Sequence, residues 1–304
     1  MKKTSRKLLR NLLIVGCGDV VRRALPALVR RWRVYALVRT FDPALRALGV
    51  TQILGDLDQP ATLLPLAGLA HAVLHSAPPP ASGKGDPRTQ RLLAVLKSAP
   101  SLPRRLVYIS TTGVYGDCAG AVVPETRPLA AATARGQRRV AAEHLLHDFG
   151  RSGATRVSIL RAPGIYAADR LPLERIRRGD PVLVADEDVF TNHIHAEDLA
   201  HACVVTLERG GSNRTYNISD DSDLPMGDWF DRLADAFALP RPPRATRAEV
   251  KTRLSPMLLS FMGESRRLAN TRMKRELKLR LRYPTVTDGI AAALQQQGNL
   301  PCSG

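Results

Sequence analysis

Asn11-Leu12-Leu13-Ile14-Val15-Gly16-Cys17-Gly18-Asp19-Val20-Val21 decides the fold: an apolar run ends in a glycine turn and restarts as a helix. A buried parallel strand followed by such a turn and a helix N-terminus can hold a dinucleotide diphosphate, because backbone N–H groups point at the anion. Gly16 and Gly18 fill the first two places of a G-x-G-x-x-G pattern, the tight turn and the close backbone approach. The third place holds Val21, where a glycine or alanine would let helix and strand pack closely. The match is therefore partial. Cys17 reads as a small residue filling the turn rather than a reactive thiol, and Asp19 as the cap of a helix beginning at Val20.

Further along, Arg33–Val38, Thr51–Leu54, His71–Leu74 and Arg105–Ile109 read as buried strands. Helical patterns separate them at Val20–Arg31, Pro43–Leu48, Pro60–Leu66 and Pro87–Lys97, and Ala77–Gly83 reads as a loop. Strands alternating with helices imply βαβ units, hence an α/β fold with a doubly wound parallel sheet. Right-handed crossovers put the glycine turn at the carboxyl ends of the strands, where such sheets bind ligands.

At 304 residues the chain is long enough for one large α/β core and a smaller lobe. No apolar run approaches the ~20 residues that cross a bilayer. The basic start, Met1–Lys7, resembles the first part of a signal peptide, but Gly16 interrupts the apolar stretch behind it, so a cytoplasmic protein is expected. Cys17, Cys118, Cys203 and Cys302 are scattered without a C-x-x-C pair, so no metal site is expected. The net charge of +17 comes mostly from arginines spread along the chain, and aromatic residues are only 5% of it. Without aromatic stacking platforms the charge argues against a nucleic-acid partner, while its field favours phosphorylated ligands. The densest basic run, from Arg266 to Arg282, contains Arg267, Arg272, Lys274, Arg275, Lys278 and Arg280. It reads as a solvated face, a site for an anionic substrate or a polyanion contact, the first being the usual state of such runs.

The middle of the chain carries a resemblance. Ile109-Ser110-Thr111-Thr112-Gly113-Val114-Tyr115-Gly116, Pro124–Pro128, Val140–Glu143, Ile159–Tyr166, Asn192–Ala200, Tyr216–Asp220 and Tyr283–Thr285 occur in the order of segments in extended short-chain dehydrogenases/reductases, the NAD-dependent epimerase/dehydratase group. The resemblance implies a Rossmann-type nucleotide-binding domain over residues 1–163, with 190–220 returning to it, and a smaller C-terminal substrate lobe over 164–304. After Pro163 strands are expected to be sparse, with helices over Asp228–Leu239 and Pro284–Gln295. By the same resemblance, a homodimer would use Pro87–Lys97 and the Arg138–Phe149 helix.

Such enzymes use a Ser/Thr, an acid/base Tyr and a Lys four residues after it. A phenol of pKa ~10 needs a neighbouring cation to exchange a proton at neutral pH. The Ser/Thr place falls on Thr111. The Tyr and Lys places, eight and four residues before Glu143, hold Arg135 and Arg139. Arg139 can supply the positive charge and hydrogen bonds of the lysine; Arg135 stays protonated and cannot replace the tyrosine. These departures match an atypical extended subgroup. The candidate catalytic residues are Thr111, Tyr115 and Arg139, with Thr112, Val114, Arg161 and Tyr166 lining a substrate pocket. His193 and His195 are further acid/base candidates, expected to point to opposite faces of a short strand and to serve mainly a structural role.

The cofactor-binding candidates are Gly16, Cys17, Gly18, Asp19 and Val20 in the turn, Arg39 and Thr40 after the second strand, and Asp56 and Leu57 after the third. Ala77 and Pro78 follow the fourth strand, and Pro163, Gly164 and Ile165 form the loop of strand six. No carboxylate precedes Asp42 where an acidic residue would bind the ribose hydroxyls of NAD, and Arg39 suits a 2′-phosphate, which favours NADP over NAD. The expectation is an NAD(P)-binding oxidoreductase or epimerase-like protein acting on a small, anionic or sugar-derived substrate. The alternative is a non-catalytic dinucleotide sensor with a protein or nucleic-acid partner.

Overall fold

Strand β1 (Arg10–Val15) carries the longest fully buried apolar run near the start of the chain and lies between two later strands of a seven-stranded sheet. In the computed structural model, which describes residues 9–298, β2 (Trp32–Val38) and β3 (Thr51–Leu54) extend the sheet on one side of β1. On the other side lie β4 (Ala72–His75), β5 (Arg105–Thr111) and the strands Arg156–Ala162 and Arg214–Asn217. β1 to β5 run parallel, with Leu13 opposite both Tyr35 and Val73. Strand order therefore reverses between β1 and β4, the switch point at which doubly wound sheets open a crevice. The basic start Met1–Lys7 and Cys302 lie outside the described residues.

Helices α1 (Asp19–Leu28), α2 (Pro43–Ala47), α3 (Pro87–Lys97) and α4 (Ala134–Gly150) follow the expected pattern with small shifts. Pro60–Leu66 forms a 3₁₀ turn rather than an α-helix, because Pro65 removes a donor inside it. Asp19 is not the cap of α1. Gly18 occupies that place without a side-chain cap, and Asp19, the first helical residue, pairs with Arg23 one turn on.

The chain groups into two compact units. The first comprises the chain up to Ser110 with Arg138–Leu160 and Ala200–Thr215; the second comprises Thr111–Gln137, Arg161–Leu199 and the chain from Tyr216. This division differs from a boundary at 163 with residues 190–220 returning: the stretch after Thr111 joins the second unit, and the returning stretch is shorter. The first unit's core gathers Leu13, Val15, Val73, Leu92, Tyr108 and Leu146 from sheet and helices.

The second unit is built of short ladders and helices. Gly164–Tyr166 pairs in parallel with His193–His195, and Val122–Val123 with Arg267–Leu268. The helices expected at Asp228–Leu239 and Pro284–Gln295 run over Met226–Ala236 and Val286–Gly298. Trp229, Phe230 and Leu233 form its core with Tyr166, Val182 and Ile290. No helix among the described residues is long and apolar enough to cross a membrane.

Candidate functional site

A crevice of about 510 Å³ opens in the first unit at the switch point. Its walls include Gly16, Cys17 and Gly18 from the turn, Arg39 and Thr40 after β2, Asp56 and Leu57 after β3, and Ala77 and Pro78 after β4. Gly16 has a φ of +91°, and a Cβ there would stand 2.4 Å from the backbone nitrogen of Ala77. The chain leaving β4 presses against it: the amides of Ser76 and Ala77 both donate to the Val15 carbonyl, at 2.8 and 3.0 Å. Only glycine fits. Gly18 is the opposite case, because a Cβ there would meet nothing within 4 Å. Its bare backbone leaves open space at the start of α1, whose first N–H groups have no side-chain cap. Val21 does not obstruct this space; it is 1% exposed and packs into the core, so the missing third small residue leaves the crevice open.

Three arginines stand in the crevice wall, and two are already engaged. Arg22 donates to the Cys17 carbonyl and forms an ion pair with Asp42. Asp42 is also occupied, capping α2 through Ala44 N–H at 2.9 Å, and Arg22 holds its carboxyl below the ordinary range. Arg88 grips Asp58 through Nε at 3.0 Å and Nη2 at 2.5 Å, and donates to the Pro78 carbonyl. Arg39 is exposed and has no hydrogen-bond or ion-pair partner among the described residues. Burial pushes the Cys17 thiol up, so it is no ready thiolate. A bare backbone turn, an uncapped helix start and an unengaged arginine together fit the diphosphate and adenosine end of a dinucleotide.

Asp19 and Val20 do not line this crevice, and Pro163, Gly164 and Ile165 belong to the second unit. There the Gly164 amide donates to Asn192 at 3.1 Å, fixing the strand beside His193–His195.

The residues expected around a substrate are mostly spent on one another inside the second unit. Tyr115 is 1% exposed, and its hydroxyl donates to Asn217 Oδ1 at 2.7 Å while accepting from Arg161 at 2.8 Å. Arg161 also reaches the Glu125 carbonyl, and Glu125 accepts the Asn217 amide. Tyr115 is thus a buried member of a polar network rather than an exposed acid/base, and Arg161 is its partner rather than an open pocket wall. Val114 and Thr112 are buried beside it. Tyr166 is buried as well, its hydroxyl on the Thr285 carbonyl at 3.3 Å, with burial raising its pKa above the phenol range. His193 and His195 both contact Tyr166 edge-on, at 6.2 and 5.2 Å, so they share a face. They do not point to opposite faces, because residues two apart in a strand lie on the same side. His193 stacks on Trp229, and burial lowers its pKa to about 3; His195 stacks on Tyr283 at 3.9 Å.

Thr111 accepts the Gly113 amide at 3.3 Å, capping the 3₁₀ turn that follows β5. Arg139 lies in the first unit, where Nη1 donates to the Tyr108 hydroxyl at 2.7 Å and the Ile109 carbonyl at 3.0 Å. Tyr108 and Arg139 reproduce a phenol–cation pair, but burial outweighs the cation and pushes Tyr108 up to about 12. Arg135 lies over the ring of Phe261, 4.8 Å from its centroid.

Compared with known proteins, residues 49–219 match the model of the NAD dependent epimerase/dehydratase family. That is more than half of the described chain. The chain belongs to the NAD dependent epimerase/dehydratase family. The matched stretch begins after the glycine turn. The chain is 30% identical over 284 residues to 2-alkyl-3-oxoalkanoate reductase of Stenotrophomonas maltophilia, covering 83% of this chain and 85% of that enzyme. A conserved protein of unknown function from Silicibacter pomeroyi has a similar structure, with a TM-score of 0.78, 31% identity, and 95% and 99% of the two chains covered. A short-chain dehydrogenase/reductase superfamily protein from Agrobacterium tumefaciens, solved with bound NAD, shares the fold with a TM-score of 0.75 at 17% identity, over 95% and 97% of the chains.

Sequence reasoning missed Arg22, Ser76 and Arg88 in the crevice wall. Arg22 carried a usable signal: four residues after Gly18, it returns to the face of α1 on which the turn lies. Ser76 and Arg88 arrive from β4 and α3, so only the folded sheet brings them there.

Proposed function

We propose that the chain is an NADP-preferring oxidoreductase of the extended short-chain type, acting on a small carbonyl or alcohol substrate with an anionic or sugar-derived body. The observation that carries this reading is the crevice at Gly16–Gly18, which combines uncovered backbone donors with Arg39 as an unengaged cation. Arg39 would hold the 2′-phosphate of the adenosine ribose, while the Asp42 carboxylate is already tied to Arg22 and α2. When bound, the nicotinamide donates or accepts a hydride.

In the first unit this chain supplies the positive charge of Arg139, whose Nη1 is anchored by the Tyr108 hydroxyl and the Ile109 carbonyl; in the second unit the Thr111 hydroxyl would orient a substrate oxygen. Similarity to an enzyme named for reducing a 2-alkyl-3-oxoalkanoate supports a substrate whose carboxylate stands one carbon away from the reacting carbonyl. Thr111 would hydrogen-bond the substrate oxygen while solvent supplied its proton, a route that asks no phenol acid of the protein.

The test is a titration of NADPH and NADH followed by an NADPH-oxidation assay against 2-alkyl-3-oxo acids and sugar nucleotides. Turnover of either class with NADPH supports the reading. A second reading, dinucleotide binding without turnover, is favoured by the burial of Tyr108, Tyr115 and Tyr166. Tight NADPH binding with no oxidation of any substrate would select it.

A further inference from the structure

The basic run near the end of the chain forms part of a concave feature in the second unit. A hollow of about 440 Å³ is lined by Asp221, Lys274, Lys278, Leu279, Arg280 and Pro284, among others. Its edge is stitched by the Asp221 amide, which donates to the Pro284 carbonyl at 2.7 Å. Lys274 is neutralised there: its Nζ lies 2.5 Å from Asp221, which also accepts from Asn270 at 2.8 Å. Lys278 and Arg280 are exposed, and neither has a hydrogen-bond or ion-pair partner among the described residues.

The backbone holds these two cations in an unusual way. Met273–Leu277 is a single π-helical turn, and Lys278 follows it in the left-handed region, at φ 55° and ψ 34°. Leu277 and Leu279 on either side are buried, at 0% and 3% exposure, so the strained residue is pinned between two core anchors. A glycine would take this conformation without strain, whereas a lysine does not. Lys278 ends the turn as its left-handed cap, its N–H donating to the Met273 carbonyl. That cap fixes Lys278 on the wall of the hollow, beside Arg280.

We infer that this hollow binds the phosphate group of a small phosphorylated molecule, at a site formed by none of the crevice residues. Two unengaged cations match the roughly two negative charges of a phosphate monoester at neutral pH, whereas a carboxylate offers one. The volume exceeds that of a bare ion and falls within the ~300–1,000 Å³ of small-molecule pockets. Leu279 and Pro284 offer apolar wall to the remainder of the ligand. A concave, two-cation site differs from a solvated face, whose charges spread over convex surface.

The inference is tested by calorimetric titration of the full chain with glucose 6-phosphate, glucose and inorganic phosphate at physiological salt, with heparin as a polyanion control. Saturable one-to-one binding of glucose 6-phosphate, weaker binding of phosphate and none of glucose are expected. Lys278→Gly should weaken glucose 6-phosphate at least about tenfold while raising Tm by about 2 °C, because the strain is relieved. Arg280→Gln should weaken it similarly without raising Tm, and NADPH titrations should be unchanged in both variants.

Absence of saturable binding of either phosphate compound up to about 10 mM would overturn the inference. So would equal affinity in wild type and both variants, or binding only of heparin with a steep salt dependence, which would mark a polyanion-binding face.

Discussion

The crevice of the first unit and the Tyr115 network of the second contain similar chemistry put to different use. In the network, Tyr115, Asn217, Arg161 and Glu125 satisfy one another at 2.7 to 3.2 Å in the interior. In the crevice, the backbone around Gly18 and the guanidinium of Arg39 remain available. Polar groups that satisfy each other hold a fold together; those left without partners at an open cleft are where a ligand can be recognised. Residue type alone does not separate the two, since both regions hold arginines.

The largest effect expected from breaking this contrast is at Gly16. Gly16→Ala places a Cβ against Ala77 at a left-handed φ, which costs on the order of 3 kcal/mol. The urea midpoint should fall sharply, and NADPH affinity should drop with the distorted turn. Arg161→Ala comes next. It strips a buried hydroxyl and a carbonyl of their shared donor, and the loss should be about 2–3 kcal/mol in urea unfolding. A loss below about 0.5 kcal/mol would show that the network is not a structural unit.

Asp220 gives a pH-dependent test of the same interior. Burial pushes its carboxyl up to about 8, and its Oδ2 has no hydrogen-bond partner. The unfolded carboxyl titrates near ~4. Between these values the unfolded chain releases a proton that the folded chain keeps, so stability falls as pH rises from about 4 to about 8. Asp220→Asn should flatten that slope, gaining stability at pH 8 and little at pH 4, as read by Tm across the range. An unchanged slope would remove Asp220 from the account.

Arg39→Ala is the smallest in stability and the sharpest in specificity. NADPH should bind about tenfold more weakly, with NADH affinity and Tm nearly unchanged. An equal loss for both dinucleotides would withdraw the 2′-phosphate assignment.

Much of the first unit was legible in the sequence because its signals are local. The run Leu12–Val15, the glycine turn and the strand–helix alternation each announce themselves within about a dozen residues. The crevice wall was half legible: Arg39, Asp56 and Pro78 follow strands whose ends must converge, whereas Arg88 and Ser76 depend on which strand neighbours β1. The second unit resisted reading because its ladders are two or three residues long, too short for a periodic pattern. Tyr115 and Arg161 read as a catalytic and a pocket candidate from the family resemblance, Tyr115 also from its place in the turn after Thr111. Only their long-range partners, Asn217 and Glu125, show that both are committed to the interior. Val21 looked like an obstacle, yet a buried valine on α1 simply replaces closer packing.

The most direct measurement is calorimetric titration of NADPH into wild type and Gly18→Val, with Tm recorded for both. The open space at Gly18 predicts that the variant folds normally, while its side chain occupies the diphosphate position and lowers affinity by about a hundredfold or more. Equal NADPH affinity in the two proteins, or no binding to wild type, would contradict the account.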